Sequence, residues 1–351
     1  MLPIHFAARP SELPKGVPAL ILDGAFPAGL PAPGGGLHLA HWPGNHTPDE
    51  LRRDLSTEIA FAFLALSEGE RDALLNGAEV IALNHYDTDG ICALFVLVRP
   101  DEALERRELL VETAASGDFH EVRSEHAFCI DAALRGLHGT DKVALVHEAL
   151  ELLGALLASA HAARDRAAAD LERYQQDRAA LGAALFDDLI YLDMALWTSP
   201  LRGSGTPPFD PGRHAFFADG RADRALLLGQ TPGGTTARFV IGTRSFFDVV
   251  TTKPSPRPDL EALCKKLNEA EGTADADAAA WRYQDVRGAS PELWFGKEGL
   301  PLYAEHAGEF LGKSRLTPEE IKGFCIDAVR DTWPLPHDDD EADEDEDIFA
   351  V

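Results

Sequence analysis

Short apolar runs punctuated by polar turns set the rhythm of the N-terminal half. Ala19–Leu22 is a strand-like run that ends at Asp23-Gly24, and Leu37–His41 is a second one after the Pro/Gly-rich stretch 31–36. Thr47-Pro48-Asp49-Glu50 has the form of a capping box with proline in the first helical position, predicting a helix to about Leu66. A shorter helix is expected over Glu68–Leu75, stopped by Asn76-Gly77. Glu79–Leu83 reads as a strand, and the apolar segment Ile91–Val98 behind it as a buried helix ended by Pro100. Helices follow over 102–115 and 124–137, with a break at Gly117–His120.

From Asp141 to Phe186 the chain holds no proline and is rich in Ala, Leu, Glu and Arg, predicting one long helix or a hairpin broken near His161. Leu189–Leu192 is a further apolar run ending at an acid, Asp193. The Pro/Gly-rich stretch Pro200–Gly212 marks the expected domain boundary. Beyond it, Arg224–Gly229, Ala237–Ile241 and Phe246–Thr251 read as strands, with a turn at Gly233-Gly234. A helix covers Asp259–Glu269, and a second capping box at Thr317–Glu320 opens the last one. The expected fold is α/β: a three-layer sheet-and-helix domain over 1–199 with a long helical segment, then a smaller α+β unit over 213–334. Residues 335–351 are expected to be a disordered acidic tail.

Composition narrows the partners. The chain has 351 residues, with 59 acids against 32 bases and a net charge of −27. Asp338–Asp347 alone holds nine acids, and removing them leaves −18. A body this acidic repels phosphate backbones, which disfavours broad double-stranded nucleic-acid binding but allows a small anion reached through a metal. No apolar stretch approaches the ~20 residues of a spanning helix, so no membrane role is expected. The N-terminus lacks the basic start and apolar run of a secretory signal, which points to the cytoplasm. Cys92, Cys129, Cys264 and Cys325 form no CxxC pair and read as buried thiols. The tail, with its apolar tip Ile348–Val351, is either a solubilising segment or a peptide that docks on a basic groove of a protein partner.

The chemistry concentrates in His85-Tyr86-Asp87-Thr88-Asp89-Gly90. His85, Asp87 and Asp89 are two apart and would converge just past a strand. One imidazole and two carboxylates suit Mn2+, Mg2+, Co2+, Fe2+ or Zn2+. Gly90 allows close backbone approach to a ligand, and the following helix aims its N-terminus at an anion. The bland alternative is a polar turn.

This hexapeptide resembles the first motif of the DHH phosphoesterases, H-x-D-x-D-G, a superfamily of oligoribonucleases, RecJ-type exonucleases, cyclic-dinucleotide phosphodiesterases and family II pyrophosphatases. The resemblance implies that His85, Asp87 and Asp89 bind Mn2+ and that a two-metal centre activates water against a phosphorus ester. It rests on this motif alone. No D-H-H triplet occurs; the nearest is Asp118-Phe119-His120, and Gly233-Gly234 lacks the His of the partner domain's glycine-rich signature. The chain as a whole also resembles a bacterial family without an assigned function.

Asp118 is a further ligand or catalytic candidate beside Asp89, or else a helix-capping acid. Asp193 stands at a strand end where the superfamily places a lone Asp, and Asp23 is a weaker case of the same kind. His120 and His126 read as surface histidines. His38, His41 and His46 do not share a face, so a metal site among them is not expected. Arg238, Arg244, Lys253 and Arg257 cluster against the general acid excess; Arg244 and Arg257, with Gly90, are the candidates for holding phosphate. No nucleophile elbow, Walker loop or dinucleotide loop is present. The expected function is metal-dependent hydrolysis of a nucleotide, short oligonucleotide or other small phosphorylated substrate. The alternative is a non-catalytic module that binds a nucleotide or a protein.

Overall fold

A computed structural model describes residues 2–7, 9–25, 36–203, 205–253, 255–274 and 277–332. The acidic tail and nearly all of the stretch 31–36 lie outside these residues. The fold is α/β, with two sheets and twelve α-helices among the described residues.

The first sheet is wholly parallel. It is built from β1 (Ile4–Phe6), β2 (Ala19–Leu22), β3 (Leu37–Leu39) and β4 (Val80–Leu83), in the order β1-β4-β2-β3. β2 and β4 read ALIL and VIAL and are buried throughout, as strands covered on both faces must be. One face meets the helices α1 (Ser56–Leu64), α2 (Glu68–Leu75) and α3 (Thr88–Val98). The same core takes in α4 (Pro100–Glu105), α5 (Arg107–Phe119), α6 (Glu125–Arg135), α7 (Lys142–Leu157), α8 (Ala160–Arg166) and part of α9 (Ala168–Gly182). α3 is apolar nearly all round and sits at the centre, against α1 and α5. The opposite face is covered by Ala7, Leu13 and Val17, so the outer layer there is a loop and not a row of helices.

The second sheet runs β5-β6-β7-β8-β10-β9, from β5 (Leu185–Leu189), β6 (Met194–Ser199), β7 (Arg224–Thr231), β8 (Gly234–Ile241), β9 (Ala280–Gln284) and β10 (Glu292–Gly296). Alternation along β6 divides its faces. Met194 and Leu196 join α11 (Leu260–Glu271) and α12 (Pro318–Arg330); Ala195 and Trp197 join α9 and α10 (Arg213–Phe216).

Three expectations are corrected here. β5 and β6 pair into the second sheet, so the second unit begins near residue 185 and not at 213. Residues 246–251 form no strand; they belong to a loop that laces onto the first unit. The capping box at Thr47 does not form, because Thr47 Oγ1 accepts from the Ala40 N–H and donates to the Ala40 carbonyl. That clasp holds the chain leaving β3. Only a 3-10 turn follows at Asp49–Leu51, and α1 starts at Ser56.

Candidate metal centre

Parallel strands align their carboxyl ends, so residues just past β2, β3 and β4 meet at one edge of the sheet. Asp23 follows β2 in a left-handed conformation (φ 48°). His41 follows β3. Asn84 to Asp87 lead from β4 into α3, with Asp87 as the N-cap and Asp89 in the first turn. Asp118, in the last turn of α5, completes the cluster; the helix runs through the expected break at Gly117.

Two overlapping groups result. Asp23, His41, Asp89 and Asp118 place one donor atom each within 4.8 Å of one another, and so do Asp23, His85 and Asp87. Asp23 belongs to both. The first group is fully buried, with exposures of 1%, 1%, 0% and 6%. The second opens outward, the side chains of His85 and Asp87 being 27% exposed.

Both histidines are oriented from behind. His41 Nδ1 lies 2.5 Å from the Asp54 carbonyl, which can only accept, so Nδ1 carries the proton. His85 Nδ1 lies 2.6 Å from Asn84 Oδ1, while Asn84 Nδ2 donates to the Ala25 carbonyl. Each ring therefore turns Nε2 toward the acids. His41 Nε2 is 3.0 Å from Asp118 Oδ2, 3.6 Å from Asp89 Oδ2 and 3.7 Å from Asp23 Oδ1. His85 Nε2 is 2.6 Å from Asp87 Oδ2 and 3.4 Å from Asp23 Oδ2. Asp23 Oδ2, His41 Nε2 and Asp118 Oδ2 are buried with no aligned hydrogen-bond partner. Apart from the His85–Asp87 hydrogen bond, these separations lie close to the ~3–3.5 Å between neighbouring donors around an ion with bonds near ~2.1 Å.

The carboxylates are arranged with equal care. Asp89 accepts from the backbone N–H groups of Ser56 and Thr57 at 2.7 and 2.9 Å, capping α1 from a distant part of the chain. Ser56 Oγ donates to Asp23 Oδ1 at 2.7 Å. Burial, with the charges of Asp87 and Asp89, raises the carboxyls of Asp23 and Asp118 well above the usual range. Burial also raises Asp89, against the pull of His41 and Thr57. Burial opposes ionisation of Asp87 too, but the charge and hydrogen bond of His85 and the Gly90 N–H hold it down at about 2. His85 is raised in turn: burial disfavours its charge, but Asp87 more than compensates. Crowded carboxylates of this kind need protons or a cation.

Of the residues singled out in the sequence, His85, Asp87, Asp89 and Asp118 come together. Gly90 contributes room and no free donor: its N–H goes to Asp87 Oδ1, and a Cβ there would lie 2.9 Å from Asp23 Oδ2. Asp193 does not join. It lies at the turn before β6 in the other sheet and accepts from the Asp223 N–H at 2.9 Å. Arg244 pairs with Glu121 and lies over the Phe119 ring. Arg257 donates to Ser245 and to the carbonyls of Gly288 and Ala289. Both guanidinium groups are thus engaged within the protein and not by the acid cluster. Arg238 is buried against Glu292. His38 is buried against His46, and burial followed by that neighbour lowers its pKa to about 4. His126 bonds the Leu156 carbonyl.

The sequence pattern does not point to His41 and gives Asp23 only a weak signal. Each is just a polar residue past an apolar run, and His41 is one of three histidines that do not share a face. All four cysteines are free and buried. No described helix is long and apolar enough to cross a membrane. No curated protein matches the sequence. A family model matches residues 2–340, and the chain belongs to that family, a family of unknown function designated DUF6687.

Proposed function

We propose that this chain is a divalent-metal-dependent hydrolase of a small phosphoester or phosphoanhydride, such as a nucleotide or short oligonucleotide. One ion would sit among Asp23, His41, Asp89 and Asp118, and a second among Asp23, His85 and Asp87. The observation that carries this reading is the pair of histidines whose Nδ1 atoms are fixed by oxygen acceptors and whose Nε2 atoms face carboxylates, Asp23, Asp89 and Asp118 for His41 and Asp23 and Asp87 for His85. Such backing of the far nitrogen is how metal-bound histidines are oriented. The donor set, two imidazoles and four carboxylates, suits Mn2+, Co2+ or Mg2+, with the histidines favouring the first two.

A cation pair supplies Lewis acidity and lowers the pKa of water. The chain's residues do the rest. Asp23 can bridge. Ser56, Thr57 and Asp54 set the geometry, and burial keeps bulk water from the inner group. The exposed side at His85 and Asp87 admits the phosphate, and the Trp42 ring, 4.5 Å from His85, offers an apolar wall to the rest of the substrate. The likeness of His85–Gly90 to the DHH phosphoesterases supports the same reading, with Asp23 and His41 supplying donors where no D-H-H triplet exists. Convergence of six donors also weighs against a binding module that has lost its centre.

The test is turnover by EDTA-stripped protein reloaded with Mn2+, Co2+ or Mg2+, on bis-p-nitrophenyl phosphate, pyrophosphate, cyclic dinucleotides and short oligonucleotides. Metal-dependent hydrolysis is expected, falling by about 100-fold or more in His41→Ala and Asp87→Asn. Mn2+ binding without turnover of any substrate would leave a binding module, and no Mn2+ binding would remove the metal centre itself.

A further inference from the structure

We infer that His120, His214 and Glu305 form a separate cation site of the zinc type, at the seam between the two units. One donor atom from each lies within 4.8 Å of the others, and no residue is shared with the acid cluster. His120 caps the C-terminus of α5 in a left-handed conformation, φ 56°. His214 comes from α10, and Glu305 from the chain between β10 and α12. The site therefore joins three distant segments.

His214 has the backing expected of a ligand. Its Nε2 lies 3.0 Å from the Ser116 carbonyl and 3.2 Å from Asp131 Oδ2, two acceptors that place the proton there. Its Nδ1 then faces Glu305 Oε2 at 3.0 Å. A tetrahedral zinc with bonds near 2.0–2.1 Å separates its donors by about 3.3 Å, so the His214–Glu305 pair needs only a few tenths of an ångström of movement, and the His120 donor closes in from within 4.8 Å. Without the ion, a proton fills that gap.

The independent observation is His120 Nδ1, which is buried with no hydrogen-bond partner while its ring stands 4.8 Å from that of His214. Two imidazoles and one carboxylate leave a fourth position open. Glu305 is held by the His214 N–H at 3.0 Å, in space left by Gly212, where a Cβ would lie 2.4 Å from Oε1. Nearby positive charge is already balanced: Arg135 bonds Asp131, and Arg213 bonds Glu292. A cavity of about 220 Å3 lined by Phe128, Arg135, Asp170, Tyr174, Glu305 and His306 reaches Glu305 and provides an entry path. The acidic cluster, rich in carboxylate, suits harder ions; this one, rich in imidazole, suits zinc.

The test uses the full chain, stripped with EDTA and titrated with zinc chloride, with bound zinc counted by elemental analysis. His120→Ala and Glu305→Gln alter partly exposed side chains and leave His214 on Asp131. Each is expected to bind one zinc equivalent fewer than wild type. His85→Ala with Asp87→Asn is expected to retain the equivalent that those two variants lose. Unchanged zinc stoichiometry and affinity in both His120→Ala and Glu305→Gln would overturn the site. So would loss of that same equivalent in the His85/Asp87 variant. Because the readout is zinc and not turnover, the inference stands or falls independently of the hydrolase reading.

Discussion

The His41 imidazole lies flat against the Phe247 ring, with centroids 4.1 Å apart and planes within 7°. This stack carries the second unit onto the acid–histidine cluster of the first. The loop bearing Phe247 is laced down around it. The Asp248 N–H donates to the His41 carbonyl, Asn45 Nδ2 to Asp248, and the Val250 and Thr251 N–H groups to Asp54. Asp54 is the residue whose carbonyl fixes the His41 tautomer. The second unit thus holds His41 from its face and from its rear.

Phe247→Ala removes the face contact and leaves the hydrogen bonds. Phe247 is 7% exposed, so a cost of about 3–5 kcal/mol in stability is expected. If the ring also positions His41, Mn2+ affinity should fall by about 10-fold, as when an orienting partner is removed. Urea unfolding and Mn2+ titration measure the two effects separately. Loss of stability with unchanged Mn2+ affinity would make the stack a packing contact only.

Gly90→Ala separates the centre from the fold. Gly90 is in the first turn of α3, where alanine is intrinsically favoured by up to ~1 kcal/mol. The added Cβ would meet Asp23 Oδ2 at 2.9 Å and Asp87 Oδ1 at 3.1 Å. Both are side-chain ends that can move, so the fold should tolerate the methyl while the carboxylates are displaced. The expected outcome is metal-free stability within about 1 kcal/mol of wild type and Mn2+ affinity lower by about 10-fold or more. Equal Mn2+ affinity would mean that these two carboxylates do not share a ligand shell.

The strand–loop–helix at Val80–Val98 was legible because its signals are contiguous: an apolar run, period-two acids, a glycine and a buried helix. The rest of the centre was not, because it depends on which strands are neighbours. Asp23 and His41 converge on His85 only because β2 lies between β3 and β4, a pairing absent from local pattern. Asp193 shows the limit of the same signal. It too follows an apolar run, but its strand joins the other sheet. The domain boundary failed for a related reason, since a Pro/Gly-rich stretch marks a loop and not the edge of a sheet. Asp89 carried information that no motif scan reads, because it caps a helix that begins 33 residues earlier in the chain.

A pH dependence follows from Asp223. Burial raises its carboxyl to about 6, against the N–H groups of Ser245 and Arg244, and the charge of Asp193 adds to the rise. In the unfolded chain the value is near 3.8. The folded state therefore holds this proton more tightly. Its contribution to stability is complete below about pH 4 and is lost as pH rises through about 6, amounting to about 3 kcal/mol by pH 7. Asp223→Asn cannot lose it. Whatever the variant's stability at pH 4, the gap between the two proteins should move in the variant's favour by that amount between pH 4 and pH 7. Urea unfolding in EDTA across this range measures the gap, and a constant gap would contradict the shift.

Glu292 supports the seam from beneath. It is fully buried between two arginines, with Oε2 2.6 Å from Arg213 Nη2 and Oε1 2.5 Å from Arg238 Nε. The same arginines donate to the Ala304 and Glu305 carbonyls and so fix the segment that carries Glu305. Glu292→Gln keeps the shape but leaves one buried guanidinium charge uncompensated, because Asp210, 3.3 Å from Arg238, can balance only one of them. Breaking a buried ion network in this way costs about 3–5 kcal/mol. The loss should appear as a lower urea midpoint at unchanged slope. Zinc retention should fall with it, since Glu305 would lose its anchor. Replacing all three members by apolar residues, together with Asp210→Asn so that no buried carboxylate loses its partner, would remove the charge penalty with the charges and should recover the midpoint without recovering zinc. That split would show that the triad's value lies in placing Glu305 and not in its own attraction.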